Sequence, residues 1–375
     1  MPGDSRWHGI FSKMGLLESH AAQFMHESCV LPAFSIEQAG HLVRRLFELD
    51  GLLQPLNGER DLNYLLVTDR GKFVFKIANQ QEPYSMLECQ HQVMQILARS
   101  GLWQQAAVSV DSVNGNFIES VTSETGGTHF CRVLPYCEGR LLSSVSPHPP
   151  ELLFDLGKKL ALMDKSLLDF KHDALDRPLL WRMTDALETL ERFKPLLVSA
   201  ENCALIEYFE AGFRERVLPV SDDLRQSPIH NDANDNNLLV SGDSAQDLEI
   251  SNIIDFGDMV YSWTLAEPAI AAAYAMLGKQ NPLESAATII RGYHAHLPLT
   301  EAEISVVFDL IAMRLCMSVC ICAYQRSLEP DNEYLSISEA PAWAMLQELW
   351  DIPHDVAHSV FREACGPGPW DPKFL

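Results

Sequence analysis

Hydrophobic positions along this chain keep two different periods, and the balance between them changes near residue 150. Ser35, followed by Glu37 and Gln38, opens a segment with apolar Ile36, Ala39, Leu42, Val43, Leu46 and Phe47, which predicts an amphipathic helix through Leu49. Tyr64 to Val67 and Lys72 to Ile77 are β-rich runs about the turn Thr68-Asp69-Arg70-Gly71, the pattern of a hairpin. Residues 82–100 return to the helical period and end at Gly101, a C-cap residue. Strand-like runs follow at Ala106–Val110, Asn116–Val121 and Thr128–Pro135. Beyond Gly139-Arg140 and the Pro-rich stretch Ser146–Pro150, helices are predicted near 150–170, 184–199, 202–218, 264–278, 283–296, 301–326, 338–350 and 353–364. Asn237–Val240 and Leu248–Ile254 read as one embedded hairpin.

The expected fold is therefore α+β and bilobal. A small antiparallel-sheet N-lobe with one helix (35–135) would bind nucleotide. A larger, mostly helical C-lobe (136–375) follows, and the arrangement suggests a cleft between the two lobes. Residues 1–34 form an N-terminal extension, and Leu134 to Gly139 connect the lobes.

Composition narrows the partners. With 28 basic and 51 acidic residues the net charge is −23, which disfavours nucleic acid and anionic membranes, since both need clustered Lys and Arg. The most apolar stretch, Ile304–Tyr324, contains Asp309 and Arg314 and reads as a buried helix rather than a membrane span. The first twenty residues lack the basic start and apolar run of a secretory signal. Nine scattered cysteines suit free thiols in the reducing cytoplasm. Cys316 and Cys320, one helical turn apart among Leu, Met and Val, read as buried thiols rather than metal ligands.

The chemistry is concentrated in two segments, Ile229-His230-Asn231-Asp232-Ala233-Asn234-Asp235-Asn236-Asn237 and Ile253-Ile254-Asp255-Phe256-Gly257-Asp258. His-x-Asp-x-x-x-x-Asn followed by Asp-Phe-Gly matches, in order and spacing, the catalytic and metal loops of the protein-kinase-like superfamily. Phosphoryl transfer asks the protein for a positioned hydroxyl and for charge opposite the phosphate oxygens. Asp232 is the candidate catalytic base. Asn237 and Asp255 are candidate Mg²⁺ ligands, because Mg²⁺ takes hard oxygen donors and shares its shell with phosphates.

Two further features test that reading. Lys76 is a lone charge in the strand run Phe73–Ile77, placed to hold phosphates, with Glu88 on the next helix as its expected partner. The phosphate-covering loop, Leu56 to Tyr64, has a single glycine and no G-x-G-x-x-G; Asn63 is its candidate phosphate contact. Leu134 and Tyr136 would line the base pocket at the connector.

With these segments in view, the chain resembles the aminoglycoside phosphotransferase (choline kinase-like) family. The subgroup it is most similar to contains hydroxylysine kinase and the phosphotransferase domain fused to class-III aminotransferases. The residues that carry the resemblance are GERDLNYLLV (58–67), FVFKIAN (73–79), LECQHQVMQIL (87–97), CRVLPYCEGR (131–140), IHNDANDNNLLV (229–240) and IIDFGDMVYS (253–262). The resemblance covers about residues 35–350. It implies a protein-kinase-like fold and Mg²⁺-dependent transfer of phosphate from GTP or ATP to the hydroxyl of an amino alcohol, 5-hydroxy-L-lysine first. Homoserine, choline, ethanolamine and aminoglycosides are alternative acceptors, and a nucleotide-binding regulatory protein without catalysis is an alternative of another class. The resemblance also sets Asp258 and Glu267 behind the active site, with Glu267 a candidate substrate residue beside Asp235 and Arg314. Asn231 stands where relatives often have Gly.

A cationic acceptor would find Asp235 between the catalytic Asp and Asn; the alternative is that Asp235 caps the loop backbone. Arg314, in an apolar helix, requires an anionic partner. That partner is either a substrate carboxylate or an internal acid such as Glu267 or Asp309.

Overall fold

The computed structural model of the chain describes residues 31–58, 60–103, 109–328 and 339–366. Helix α1 (Ile36–Phe47) begins with the expected capping box. The Ser35 side chain accepts from the Gln38 backbone N–H, and the Gln38 side chain accepts from Ser35. Its buried residues, Ala39, Leu42, Val43 and Phe47, cover one face of a five-stranded sheet.

That sheet is antiparallel, in the order β1 (Gly51–Leu56), β2 (Leu62–Thr68), β3 (Gly71–Ile77), β5 (Thr128–Pro135) and β4 (Glu119–Thr122). Strand β1 was not expected. Pro55 lacks an N–H and masks the strand pattern, and it is tolerated because β1 lies at the sheet edge, paired only with β2. The run expected at 106–110 falls largely outside the described residues; Val110 makes an isolated bridge to Val133.

Period-two alternation gives the sheet two chemically different faces. Tyr64, Leu66, Phe75, Ile77, Cys131 and Val133 face α1 and form the core of the small lobe. The opposite face carries two cross-strand rows. In one, Asn63 pairs with Lys76 and Lys76 with Arg132; in the next, Leu65 pairs with Val74 and Val74 with Leu134.

Helix α2 (Tyr84–Arg99) leaves β3 and packs Met86, Cys89, Val93, Met94 and Leu97 into the core of the larger lobe. The lobes thus share apolar packing as well as the connector, where the Tyr136 N–H donates to Lys72 O at 3.1 Å. The larger lobe contains α3 (Pro150–Leu167), α4 (Ala186–Phe193), α5 (Ala200–Gly212), α6 (Ala266–Ala275), α7 (Pro282–His294), α8 (Glu301–Leu328), α9 (Glu339–Trp350) and α10 (His354–Ala364). Helix α4 stops short of the expected 199 because Pro195 turns the chain into 3₁₀ geometry at Lys194–Leu196. Helix α8 has the length and hydropathy of a membrane span, yet 94% of its most apolar window is buried inside the protein.

Short strands β6 (Arg140–Leu141), β8 (Leu238–Ser241) and β9 (Glu249–Ile253) form one sheet. Strands β7 (Gln226–Ile229) and β10 (Val260–Trp263) form another pair. The expected hairpin is β8–β9, and its two ends deliver the catalytic and metal loops to one cleft.

Helices α3 and α7 approach so closely that a Cβ on Gly157 would collide with the Ile289 carbonyl, and one on Gly292 with the Phe154 carbonyl. Backbone cannot yield as a side-chain tip can. Gly157→Ala or Gly292→Ala should therefore each cost about 1–3 kcal/mol, the range for overpacking, read as a lowered urea midpoint with unchanged slope.

Candidate active site

The catalytic loop is built on buried polar contacts. Asn231 takes a positive φ of 66°, within reach of Asn at modest cost, so the Gly common in relatives is not required. Its N–H donates to Glu267 Oε2 at 3.0 Å. His230 Nε2 donates to Ile254 O at 3.0 Å, so Nδ1 is left to accept from the Asp232 N–H at 3.3 Å. Burial pulls the His230 pKa down to about 4, and the neutral ring joins the catalytic loop to the metal loop.

Asp232 is held from three sides. Asn234 Nδ2 donates to Oδ1 at 2.9 Å, Asn237 Nδ2 to Oδ2 at 2.7 Å, and Arg314 Nη2 lies 3.4 Å from Oδ1. Burial, aided by the negative charge of Asp258, pushes its carboxyl up to about 8, against the opposing pull of Arg314. A carboxyl with that pKa is mostly protonated at neutral pH and gains acceptor capacity as pH rises through about 8.

Asn237 spends its amide N–H groups on Asp232, so its Oδ1 is the atom left for a cation. The Ile254 N–H donates to Asn237 O at 2.9 Å, which brings Asp255 beside it. Asp255 has φ 62°, accepts from the Gly257 N–H and lies 4.0 Å from Lys76 Nζ. Lys76 is the chief reason its carboxyl falls to about 2. Among the described residues no group of three His, Cys, Asp or Glu could hold a metal. Asn237 and Asp255 instead form a two-oxygen donor set, which fits a hard cation completed by phosphate and water.

The structure corrects two sequence expectations, for Glu88 and Glu267, and gives Arg314 an internal acid, one of its two open alternatives. Glu88 does not pair with Lys76: it lies 4.0 Å from His172 Nε2, because α2 turns its apolar stripe into the larger lobe. The α2 side chain that reaches the Lys76 row is Gln90, which accepts from Arg132 Nη2 at 2.6 Å. Arg314 is partnered by Asp232 itself. Asp309 is bonded to Arg216 and His354, and Glu267 to the loop backbone. Arg314 also donates to Trp181 O at 3.1 Å and lies over the Trp181 ring at 4.4 Å. Glu267 is fully buried behind the loop rather than open to an acceptor.

Asp235 O accepts from the Ser143 N–H, and its carboxyl, raised by burial, feels both His148 and Lys279. Leu134 and Tyr136 lie at the connector, and Leu134 sits in the half-buried apolar row with Leu65 and Val74. That row suits a flat base. The adjoining Asn63–Lys76–Arg132 row suits phosphates.

Sequence reasoning missed several charged residues here. Arg60 in the β1–β2 loop makes a 2.5 Å ion pair with Asp258 across the cleft. Asp61 accepts from Asn79 N and Nδ2 and secures the end of β3. Arg177 donates to the Gly257 carbonyl. Glu82, raised mainly by burial, feels Arg177, Arg60 and Arg132. Arg132 had a visible signal, a lone charge in an apolar strand run, the same signal that marked Lys76.

Fold and site together define a kinase-like phosphotransferase: two lobes, a sheet face with apolar and cationic rows, and an Asp–Asn–Asp constellation beneath it. The pattern of the phosphotransferase enzyme family (APH) matches residues 52–303, and the chain belongs to that family. It is 28% identical to hydroxylysine kinase of Mus musculus over 370 residues, covering 92% of this chain and 97% of that protein. To hydroxylysine kinase of Bos taurus it is 29% identical over 358 residues, covering 89% and 94%. Solved structures with the same fold include an amicoumacin kinase in complex with AMP-PNP, Ca²⁺ and Ami, with TM-score 0.63, 15% identity and coverage of 91% and 97%. The microcompartment-associated aminopropanol kinase also has TM-score 0.63 and 15% identity, with coverage of 88% and 99%.

Glu267 offers a test of how the loop is supported. Burial raises its pKa from 4.5 to about 7, so the folded protein holds a proton that the unfolded chain has released. Stability from this group is present below about pH 4.5 and is lost as pH rises through about 7. Glu267→Gln keeps an acceptor for the Asn231 N–H but does not titrate. The variant should match wild type near pH 5 and exceed it in urea midpoint near pH 8.

Proposed function

We propose that this protein is a Mg²⁺-dependent kinase that transfers the γ-phosphate of GTP or ATP to the hydroxyl of an amino alcohol, with 5-hydroxy-L-lysine as the acceptor. The carrying observation is the clasp on Asp232: two amides and a guanidinium orient one carboxylate beside Asp255 and Asn237. The acceptor assignment draws its support from the relatives, which bear the name hydroxylysine kinase along most of their length.

In this reading the acceptor hydroxyl approaches Asp232, which takes its proton as the oxygen attacks the γ-phosphorus and the nucleoside diphosphate leaves. Asn237 and Asp255 would hold Mg²⁺, whose contribution is to neutralise phosphate charge and align the triphosphate. Lys76 steadies the phosphates from the sheet, and the Leu65–Val74–Leu134 row receives the base. The net negative charge favours a cationic acceptor by long-range attraction. The reading includes a reducing compartment such as the cytoplasm, supported by thiols such as Cys89, Cys131, Cys316 and Cys320 that are free and buried.

Two measurements test it. Asp232→Asn should lower kcat by about 10²–10⁴ while leaving nucleotide affinity nearly unchanged; full turnover by that variant would remove Asp232 from the mechanism. A screen of 5-hydroxy-L-lysine, homoserine, choline, ethanolamine and aminoglycosides, each with GTP and with ATP, should give the highest kcat/KM for 5-hydroxy-L-lysine. Binding of nucleotide with no turnover of any acceptor would favour a regulatory protein instead.

A further inference from the structure

Arg132 is placed where a cation is costly. Its register partner on β3 is Lys76, so two positive side chains stand directly opposite on one sheet face, an arrangement that destabilises a sheet. Arg132 is only 5% exposed. A buried guanidinium ordinarily has a carboxylate against it. Here its side-chain hydrogen bond goes to the neutral amide of Gln90, and among the described residues no acid lies within ion-pair distance. Its Nη1 is buried with no partner. Asp61, Glu82 and Asp255 act on it only at range: Asp61 is bonded to Asn79 and Asp255 lies by Lys76, while Glu82 is shared in field with Arg177 and Arg60 and leaves its own Oε1 buried without a partner.

The row therefore carries two adjacent positive charges, an unspent N–H donor and too little negative charge. An anion rich in acceptor oxygens would satisfy all of it at once. The neighbouring row of Leu65, Val74 and Leu134 would seat the base end of the same molecule one step along the strands.

We infer that Arg132 and Lys76 form a twin-cation phosphate site, with Arg132 donating directly to the polyphosphate of the nucleotide. In this chain Arg132, oriented by Gln90, takes on phosphate binding that a lysine–glutamate pair would otherwise organise. The inference rests on the kinase reading above, whose own failure is separately visible.

The experiment is a calorimetric titration with Mg²⁺ of the nucleoside, the diphosphate and the triphosphate, in whichever purine series wild type prefers. Inorganic tripolyphosphate serves as a base-free probe. Thermal unfolding of the nucleotide-free proteins is measured alongside. Arg132→Met should weaken triphosphate and tripolyphosphate binding about ten-fold or more, the size of a lost charge-assisted hydrogen bond, yet change nucleoside binding less than about three-fold. Its nucleotide-free Tm should equal or exceed that of wild type, because a buried like-charge pair has been removed. Arg132→Lys, which keeps the point charge, should lose less triphosphate affinity than Arg132→Met. Equal losses for nucleoside and triphosphate, or no loss, would overturn the inference. So would a large drop in nucleotide-free Tm in both Arg132→Met and Arg132→Gln, since that would make Arg132 a structural residue. Failure of wild type to bind any nucleoside triphosphate would sink the kinase reading itself.

Discussion

A carboxyl group buried at the meeting point of two loops and a core helix is the constraint around which this molecule is arranged. Asp232 lies at the base of the cleft, where burial raises the cost of its charge. Two loop amides and one guanidinium offset that cost and set the direction of its lone pairs. Each donor comes from a different constraint. Asn234 is supplied by the tight loop, Asn237 by the start of the β8–β9 hairpin, and Arg314 by the longest buried helix. Arg314 stays buried because Asp232, the Trp181 carbonyl and the Trp181 and Tyr274 rings receive it. The catalytic group and the core of the larger lobe therefore depend on one another.

The same logic extends across the cleft. The small lobe presents Lys76 and Arg60, and the metal loop answers with Asp255 and Asp258. These contacts tie the β1–β2 loop and β3 to the Asp-Phe-Gly segment from above, while His230 ties the catalytic loop to it from below. The carboxylates and guanidinium groups crowded here would repel if taken by sign. Interleaved, they hold the β1–β2 loop, β3 and the Asp-Phe-Gly segment together around one cleft. Glu267, behind the loop, belongs to this support rather than to acceptor recognition.

Much of this was legible in the chain. The two-lobe organisation followed from the change of period. The hairpin that carries the catalytic loops was read nearly at its observed limits, because β-rich runs beside polar loops leave little ambiguity. Asp232, Asn237 and Asp255 were legible because their spacing is a local property of one loop, one hairpin and one turn. Strand β1 was not, because an edge strand tolerates Pro55. Glu88 misled because helical periodicity reports that a residue lies near a buried stripe but not which lobe buries the stripe.

By itself the sequence determined the elements, the motif order and the candidate groups for chemistry, all of which depend on near neighbours along the chain. Only the tertiary structure decided the partnerships: Arg314 with Asp232, Arg60 with Asp258, Gln90 rather than Glu88 beside the cationic row. Arg314 and Asp232 are far apart in sequence, and Arg60 and Asp258 farther still. Each charge had several acceptable counter-ions in the composition. Which one it meets is set by how helices and strands pack, and packing is a property of the whole core rather than of any segment.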